Sequence, residues 1–439
     1  MTANQSIKPV KCRFDSSDCL EIGGCNVSEL VRKYGSPLII YDDATIREMT
    51  KSFTDAFKGT SIQMMYAAKA FSTTAIFRIM EQEGFGLDCV SGGELYTAKI
   101  AGFDMRKIIF NGNNKSAEEL EFAIDNNVGL ISVDNFYEAK LLNEICKKKN
   151  TTAKIFLRVT PGIECHTHEY IKTGHLDSKF GFDLSQTDEI INLIKTEYKN
   201  LNLSGLHAHL GSQIFQTEVY YDAVKVLFKE AKRIREVHNI ELSEFNVGGG
   251  LGIKYVDSDR PVSVEDIAEA IKTSVKINSE KYGINSPKIY IEPGRSIVGT
   301  AGVTIYTAGS SKQVLDGRKY VAVDGGMADN IRPSLYGAEY TVETVKKAVS
   351  DETEEVTIAG RFCESGDILA KNVKLPKLSA GDLICFYSTG AYCYTMSSNY
   401  NRVLKPAIVI VKDGKSAIIV KRQTYEQLTE SDVIPEITG

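Results

Sequence analysis

The sequence predicts a (β/α)8 barrel of the TIM-like type joined to a C-terminal antiparallel β domain. Three observations carry that prediction. From about residue 61 to Pro293, short apolar runs alternate eight times with amphipathic stretches of helical period, the pattern of strand and helix units around a parallel sheet. Past Arg295 the texture changes to closely spaced β-rich segments. The 439 residues suffice for two domains, and 43% hydrophobic against 25% charged residues describes a globular chain with a sizeable core.

The eight runs are, in order, "IQMMYAA", "GFGLDCV", "KIIFNG", "GLISVD", "AKIFLRV", "LSGLHAHL", "LSEFNVGG" and "KIYIEP". Helical stretches between them include "STTAIFRIMEQE", "SAEELEFAIDNN" and "EVYYDAVKVLFKEAKRIREVH". Several open on Ser or Asn, whose side chains accept hydrogen bonds from unpaired first-turn amides. An open doubly wound sheet is the structural rival, but it more often carries a glycine fingerprint after its first strand, and none stands there. The β-rich segments are "AGVTIYTAGS", "KYVAVDGG", "EEVTIAGRF", "DLICFYSTGAY" and "PAIVIVKDGKSAIIVKR". Residues 1–42, ending in "PLIIYD", are expected to join that β domain, with the barrel over 43–300 and the β domain proper over 301–439.

A formal net charge of -5 and the lack of a basic block point away from nucleic acid. The opening "MTANQSIKPVKCRF" has no apolar core of a signal peptide, and no run reaches membrane-spanning length, so a cytoplasmic protein without a membrane partner is expected. Nine Cys without a CxxC pair argue against a disulfide framework and a structural zinc site.

In such a barrel the reactive groups stand at the C-terminal strand ends. Strand 1 ends with Lys69, strand 2 with Asp88, strand 6 with His207 and His209 in "HAHLGS", strand 7 with "GGGLG", and strand 8 with Glu292 and Arg295 in "EPGRS". A Lys in an apolar run is expensive unless it is paired, neutralised or chemically used. Gly248, Gly249 and Gly250 expose amides that can approach a phosphate. Phosphate, amine and buried carboxylate together suggest pyridoxal phosphate, with Lys69 as its Schiff-base amine, Glu292 at the ring nitrogen and His209 stacked on the ring. Taken singly, each group has a plainer reading: Lys69 paired with Asp88, and Glu292 with Arg295, as internal ion pairs. A metallohydrolase is a further alternative, since "HAH" and "HTH" at 166–168 are patterned like chelating His pairs. That alternative asks for another His and an Asp at later strand ends, where Gly and Glu stand.

The ordered motifs "YAAKA", "DCVSGGEL", "HTHEYIKTGHLDSKFGF", "HAHLGSQI", "NVGGGLGI", "IEPGRSIV", "VDGGMADNIRPSLYGAEY", "CESGD" and "GAY" extend over almost the whole chain. With them the sequence resembles the fold type III pyridoxal-phosphate decarboxylases, which pair an alanine-racemase-like barrel with a β domain. The resemblance implies pyridoxal 5'-phosphate as cofactor, held by Lys69 and lined by Asp88, His209, Ser212, Gly249, Gly250, Glu292, Gly294, Arg295 and Tyr392. It implies a diamino diacid substrate, meso-diaminopimelate, decarboxylated at its D-centre to L-lysine. Arg295, Arg332, Tyr336, Glu364 and Tyr392 are then the substrate-binding residues, and Cys363 the proton donor. In the family this Cys and the Glu after it come from the neighbouring subunit, which implies a homodimer with shared sites. Relatives acting on ornithine, lysine or carboxynorspermidine are the nearest rivals, but their substrates lack the distal diacid head that calls for Arg332. A homologue that has lost activity is the rival outside catalysis, and retention of both Lys69 and Cys363 disfavours it.

Overall fold

The computed structural model describes residues 2–162, 178–315, 317–348 and 352–438. Its chain divides into two compact units. One comprises residues 1–5, 48–253 and 260–297, and the other 6–47, 254–259 and 298–439.

The first unit is a closed parallel barrel. Its strands are β1 (Ile62–Ala67), β2 (Gly86–Cys89), β3 (Ile108–Phe110), β4 (Leu130–Val133), β5 (Ala153–Thr160), β6 (Leu201–His207), β7 (Glu244–Gly249) and β8 (Lys288–Glu292). Each pairs in parallel with the next, and β8 pairs with β1 to close the ring. A two-residue strand, Phe182–Asp183, adds to the edge of β5. Most strand positions are buried, as expected where helices cover a parallel sheet. Met65, Ile109, Leu130, Phe156 and Tyr290 form one buried cluster, with the Phe156 and Tyr290 rings edge to face at 5.7 Å. Truncating Phe156 to Ala is expected to cost about 3–5 kcal/mol, through lost burial and the cavity left behind.

The helices begin where small polar residues can cap them. Ser116 accepts from the Glu119 amide while Glu119 reaches back to the Ser116 amide, and Ser263 with Asp266 repeats the reciprocal arrangement. Among the described residues no helix is long and apolar enough to cross a membrane.

The second unit is built on a nine-stranded sheet whose main path runs Ile368–Pro376, Thr353–Ala359, Lys319–Val323, Gly302–Gln313, Leu38–Asp42, Ala407–Lys412, Lys415–Val420. Most pairings are antiparallel. Lys319–Val323 with Thr353–Ala359, and Leu38–Asp42 with Ala407–Lys412, are parallel. Leu38, Ile40, Val303, Ile305, Val409 and Tyr387 anchor its core. The eight described cysteines are all free thiols. Cys165, His166 and His168 lie outside the described residues.

Candidate active site

At the end of β1 the chain enters a 3-10 turn, Ala68–Ala70, so Lys69 stands just past the strand and is half-buried. Its amine thereby avoids the full burial that a position inside the strand would impose. The Tyr66 hydroxyl donates to the Phe71 carbonyl at 2.9 Å and the Ser72 hydroxyl to the Ala68 carbonyl at 2.6 Å, which fastens the turn from both sides. Against it lies Gly294. A Cβ there would come within 2.9 Å of the Ala67 Cβ and 3.1 Å of the Ala70 Cβ, so only glycine lets the "EPG" backbone approach.

Glu292 ends β8 with 2% exposure. The Gly248 amide donates to Asn246 Oδ1 at 2.9 Å, which leaves the Asn246 amide nitrogen to donate to Glu292 Oε1 at 2.6 Å. His207 Nε2 lies 3.2 Å from the same oxygen, and its Nδ1 is 2.8 Å from the Ser132 hydroxyl. His209 Nδ1 lies 3.6 Å from Glu292 Oε2. That second oxygen is buried and has no hydrogen-bond partner among the described residues.

Asp88 is fully buried and accepts from Asn111 Nδ2 at 3.4 Å on Oδ1, while Oδ2 has no hydrogen-bond partner among the described residues. Burial first, and the Glu292 charge second, push Asp88 well above the usual carboxylate range, with Lys69 offsetting part of the rise. Burial opposes the charge on Glu292 as well, but the donors facing it, His207 foremost, hold it well below that range. Burial and then the Lys69 charge bring His209 down to about 4, so at neutral pH its imidazole is uncharged. The pocket thus favours the ionised form of one of two neighbouring carboxylates and the protonated form of the other.

Beside this network the backbone turns sharply. Gly248 has φ +73 and Gly250 φ +100, and a Cβ on Gly249 would lie 1.9 Å from the Glu292 carbonyl. The Gly249 amide donates to His209 Nδ1 at 3.4 Å, joining the loop after β6 to the end of β7. Arg295 Nη2 donates to the Ser212 hydroxyl at 2.8 Å, with Nε at 3.3 Å. The orphaned oxygen of the Glu292 carboxylate suits a protonated ring nitrogen, and the glycine turn with Ser212 and Arg295 suits a phosphate. The residues present therefore fit pyridoxal phosphate.

In the β unit, Arg332 opens the short helix Arg332–Tyr336, with Pro333 in its first turn. Arg332 is buried and Tyr336 half-buried. The Ser334 hydroxyl donates to the Gly366 carbonyl at 2.6 Å, tying this helix to the "CESGD" turn. Cys363 and Glu364 are exposed on that turn. The Cys363 backbone is held at both ends, its amide donating to Asn401 Oδ1 at 2.8 Å and its carbonyl accepting from the Tyr400 hydroxyl at 3.1 Å. Tyr392 has φ +61, a left-handed conformation rare for an aromatic residue and typical of places where position outweighs strain. The next residue, Cys393, donates to Asn330 Oδ1 at 3.4 Å and so joins "GAY" to the Arg332 turn.

The barrel unit therefore brings together Lys69, Asp88, His209, Ser212, Gly249, Gly250, Glu292, Gly294 and Arg295. The β unit gathers Arg332, Tyr336, Cys363, Glu364 and Tyr392. Sequence reasoning passed over Asn246, the link between Glu292 and the glycine turn. Its signal was an amide side chain inside an apolar strand, where burial demands partners. Tyr255 and Tyr340, which pack on Arg332, carried no such signal.

Residues 43–299 match the family described as pyridoxal-dependent decarboxylase, pyridoxal binding domain, and a pyridoxal-dependent decarboxylase is the class that fold and pocket together define. The chain is 48% identical over 424 residues to the diaminopimelate decarboxylase of Bacillus subtilis (strain 168), covering 96% of each chain. Among solved structures, diaminopimelate decarboxylase from M. jannaschii in complex with L-lysine superposes with a TM-score of 0.91 at 32% identity, covering 99% of both chains. The Helicobacter pylori enzyme complexed with L-lysine gives 0.85 at 33% identity, covering 92% of this chain and 98% of that one. This chain belongs to the diaminopimelate decarboxylase family.

Proposed function

We propose that the protein decarboxylates meso-2,6-diaminopimelate to L-lysine and carbon dioxide with pyridoxal 5'-phosphate, the last step of lysine formation by that route. The observation that carries the diacid reading is Arg332. The residue is 8% exposed, and the partners of its guanidinium are a phenol oxygen and two aromatic rings, with no carboxylate in ion-pair reach among the described residues. A buried cation without an anion calls for one from outside. Substrates that lack a distal carboxylate, such as ornithine, would leave it unmet.

When bound, pyridoxal phosphate supplies an electron sink for the pair released as the bond to the carboxylate breaks. Lys69 is the amine that would hold the cofactor. Glu292, held toward its ionised form, would keep the ring nitrogen protonated, and the neutral His209 imidazole would offer the ring a flat face. Ser212, the amides of Gly249, Gly250 and Gly294, and Arg295 would take the phosphate, while Asp88 lines the same pocket. Arg295 also serves the substrate carboxylate. Arg332 and Tyr336 bind the distal carboxylate and Glu364 the distal ammonium, which orients the bond to be broken. Tyr392 touches both molecules, and the Cys363 thiol returns a proton to the reacting carbon. Exposure of Cys363 and Glu364 on an anchored turn supports their donation to a second subunit, hence a homodimer, which we assign to the cytoplasm.

The test supplies meso-diaminopimelate, L-lysine, L-ornithine and carboxynorspermidine separately and follows carbon dioxide and amine products. L-lysine formed from the first is the expected result. Faster turnover of a substrate without a distal carboxylate overturns the reading.

A further inference from the structure

Arg332 is buried, and a buried guanidinium ordinarily faces a carboxylate. Here three neutral groups surround it. Its Cζ lies 4.9 Å from the Tyr255 ring centroid and 5.7 Å from that of Tyr340. Its Nη1 donates to the Tyr340 hydroxyl oxygen at 2.5 Å. The two rings meet edge to face, with centroids 5.3 Å apart and planes at 89°.

We propose that Tyr255 and Tyr340 are positioning residues that hold the Arg332 guanidinium by two ring faces and one phenol oxygen, leaving its charge uncommitted for the carboxylate of a free amino-acid head. The inference rests on the substrate reading given above. Aromatic faces attract a cation without neutralising it, since they offer a quadrupole and no net charge. An Asp or Glu in either place would form a bidentate pair with Arg332 and compete with the incoming carboxylate. Two tyrosines therefore orient the fork and keep it available.

Both rings are themselves held. The Tyr340 hydroxyl lies 3.5 Å from Asn330 Oδ1 and 3.6 Å from Cys393 Sγ. Asn330 Oδ1 also accepts from the Arg332 amide at 3.3 Å, so one amide side chain organises the Arg and its clamp together. Tyr255 is fixed through its carbonyl, which accepts from the Thr341 amide at 3.2 Å and the Thr341 hydroxyl at 2.9 Å. Thr341 directly follows Tyr340, which couples the two halves of the clamp along the backbone.

L-lysine and cadaverine differ by one carboxylate, so the ratio of their dissociation constants on the holoenzyme isolates carboxylate recognition. Titration followed by cofactor absorbance measures both. Tyr340→Phe and Tyr255→Leu should each weaken L-lysine by about 10-fold or more and leave cadaverine within about 2-fold, while Tyr255→Phe, which keeps the ring face, should preserve the ratio. Equal weakening of both ligands means a merely structural role and overturns the inference, as does no change in either. Should Tyr255→Leu fail to fold, Tyr340→Phe decides. Arg332→Gln separates the two levels. If it collapses the ratio while the tyrosine variants do not, the clamp alone is wrong; if it leaves the ratio intact, the substrate reading falls with it.

Discussion

The barrel pocket and the Arg332 site treat charge in opposite ways. In the barrel, Glu292 is surrounded by Asn246, His207 and His209, and its neighbour Asp88 is pushed toward the neutral form, so the protein itself settles most of the charge and leaves one oxygen of each carboxylate open among the described residues. In the β unit, Arg332 is buried among neutral partners, and no carboxylate among the described residues shares its charge. The first arrangement suits a resident cofactor, which can be built into a permanent network. The second suits a molecule that must come and go, because a resident counter-ion would have to be displaced at every turnover.

The largest test of this contrast is Lys69→Ala, which should lower turnover by roughly 10^4-fold and release the cofactor's visible band on gel filtration. Cys363→Ala should lower turnover by about 10^2–10^4-fold. Mixed with Lys69→Ala as exchanging dimers, it should recover part of the activity. No recovery despite proven subunit exchange counts against shared sites. Glu292→Gln and Arg332→Lys then divide the two regions. Loss of the ionised carboxylate should appear mainly in kcat, by about 10^2-fold, whereas loss of the planar fork should appear mainly in KM, by roughly 10–100-fold. Both changes falling on the same constant would erase the distinction drawn between the regions.

The smallest effect concerns Asp329 in the β unit, whose carboxyl is pushed from 3.8 up to about 7 by burial, with the Asp324 and Asp367 charges adding to the rise. A carboxyl raised in the folded state contributes stability that is fully present below about pH 4 and is lost as pH rises to about 7. Asp329→Asn removes that loss. Its advantage over the wild type should grow across this window and level off above it, at no more than about 4 kcal/mol. Unfolding midpoints of both proteins at pH 4, 6 and 8 measure it, and a constant difference at all three would show that Asp329 does not titrate there.

Most of the barrel was legible in the sequence because each strand is a continuous apolar run bounded by turn residues, and all eight runs became strands. Chemistry at the strand ends was legible for the same reason: Lys69, His209 and Glu292 are polar groups where apolar ones would be expected. Lys69 sits in a turn and not in the strand proper, a difference of two residues that periodicity does not resolve. The two parallel pairings in the second sheet were hidden because register and direction depend on partners far apart in the chain. Tyr255 and Tyr340 escaped notice because an aromatic residue in an apolar setting looks like core. Only the distance from a guanidinium to a ring face tells the two roles apart.

The β unit is assembled from three pieces of chain, residues 6–47, 254–259 and 298–439. An interior strand of its sheet, Leu38–Asp42, comes from the first piece, Tyr255 from the second and Arg332 from the third. On the role proposed for Arg332, specificity is consequently not a cassette. A chimera that exchanges only the segment after Ile297 would import a foreign Arg332 turn without the ring that faces it or the interior strand that pairs with Gly302–Gln313. Any recombination that aims to hand this substrate preference to a relative must carry all three pieces together, and the short middle one, six residues long, is the piece a boundary drawn from sequence alone would leave behind.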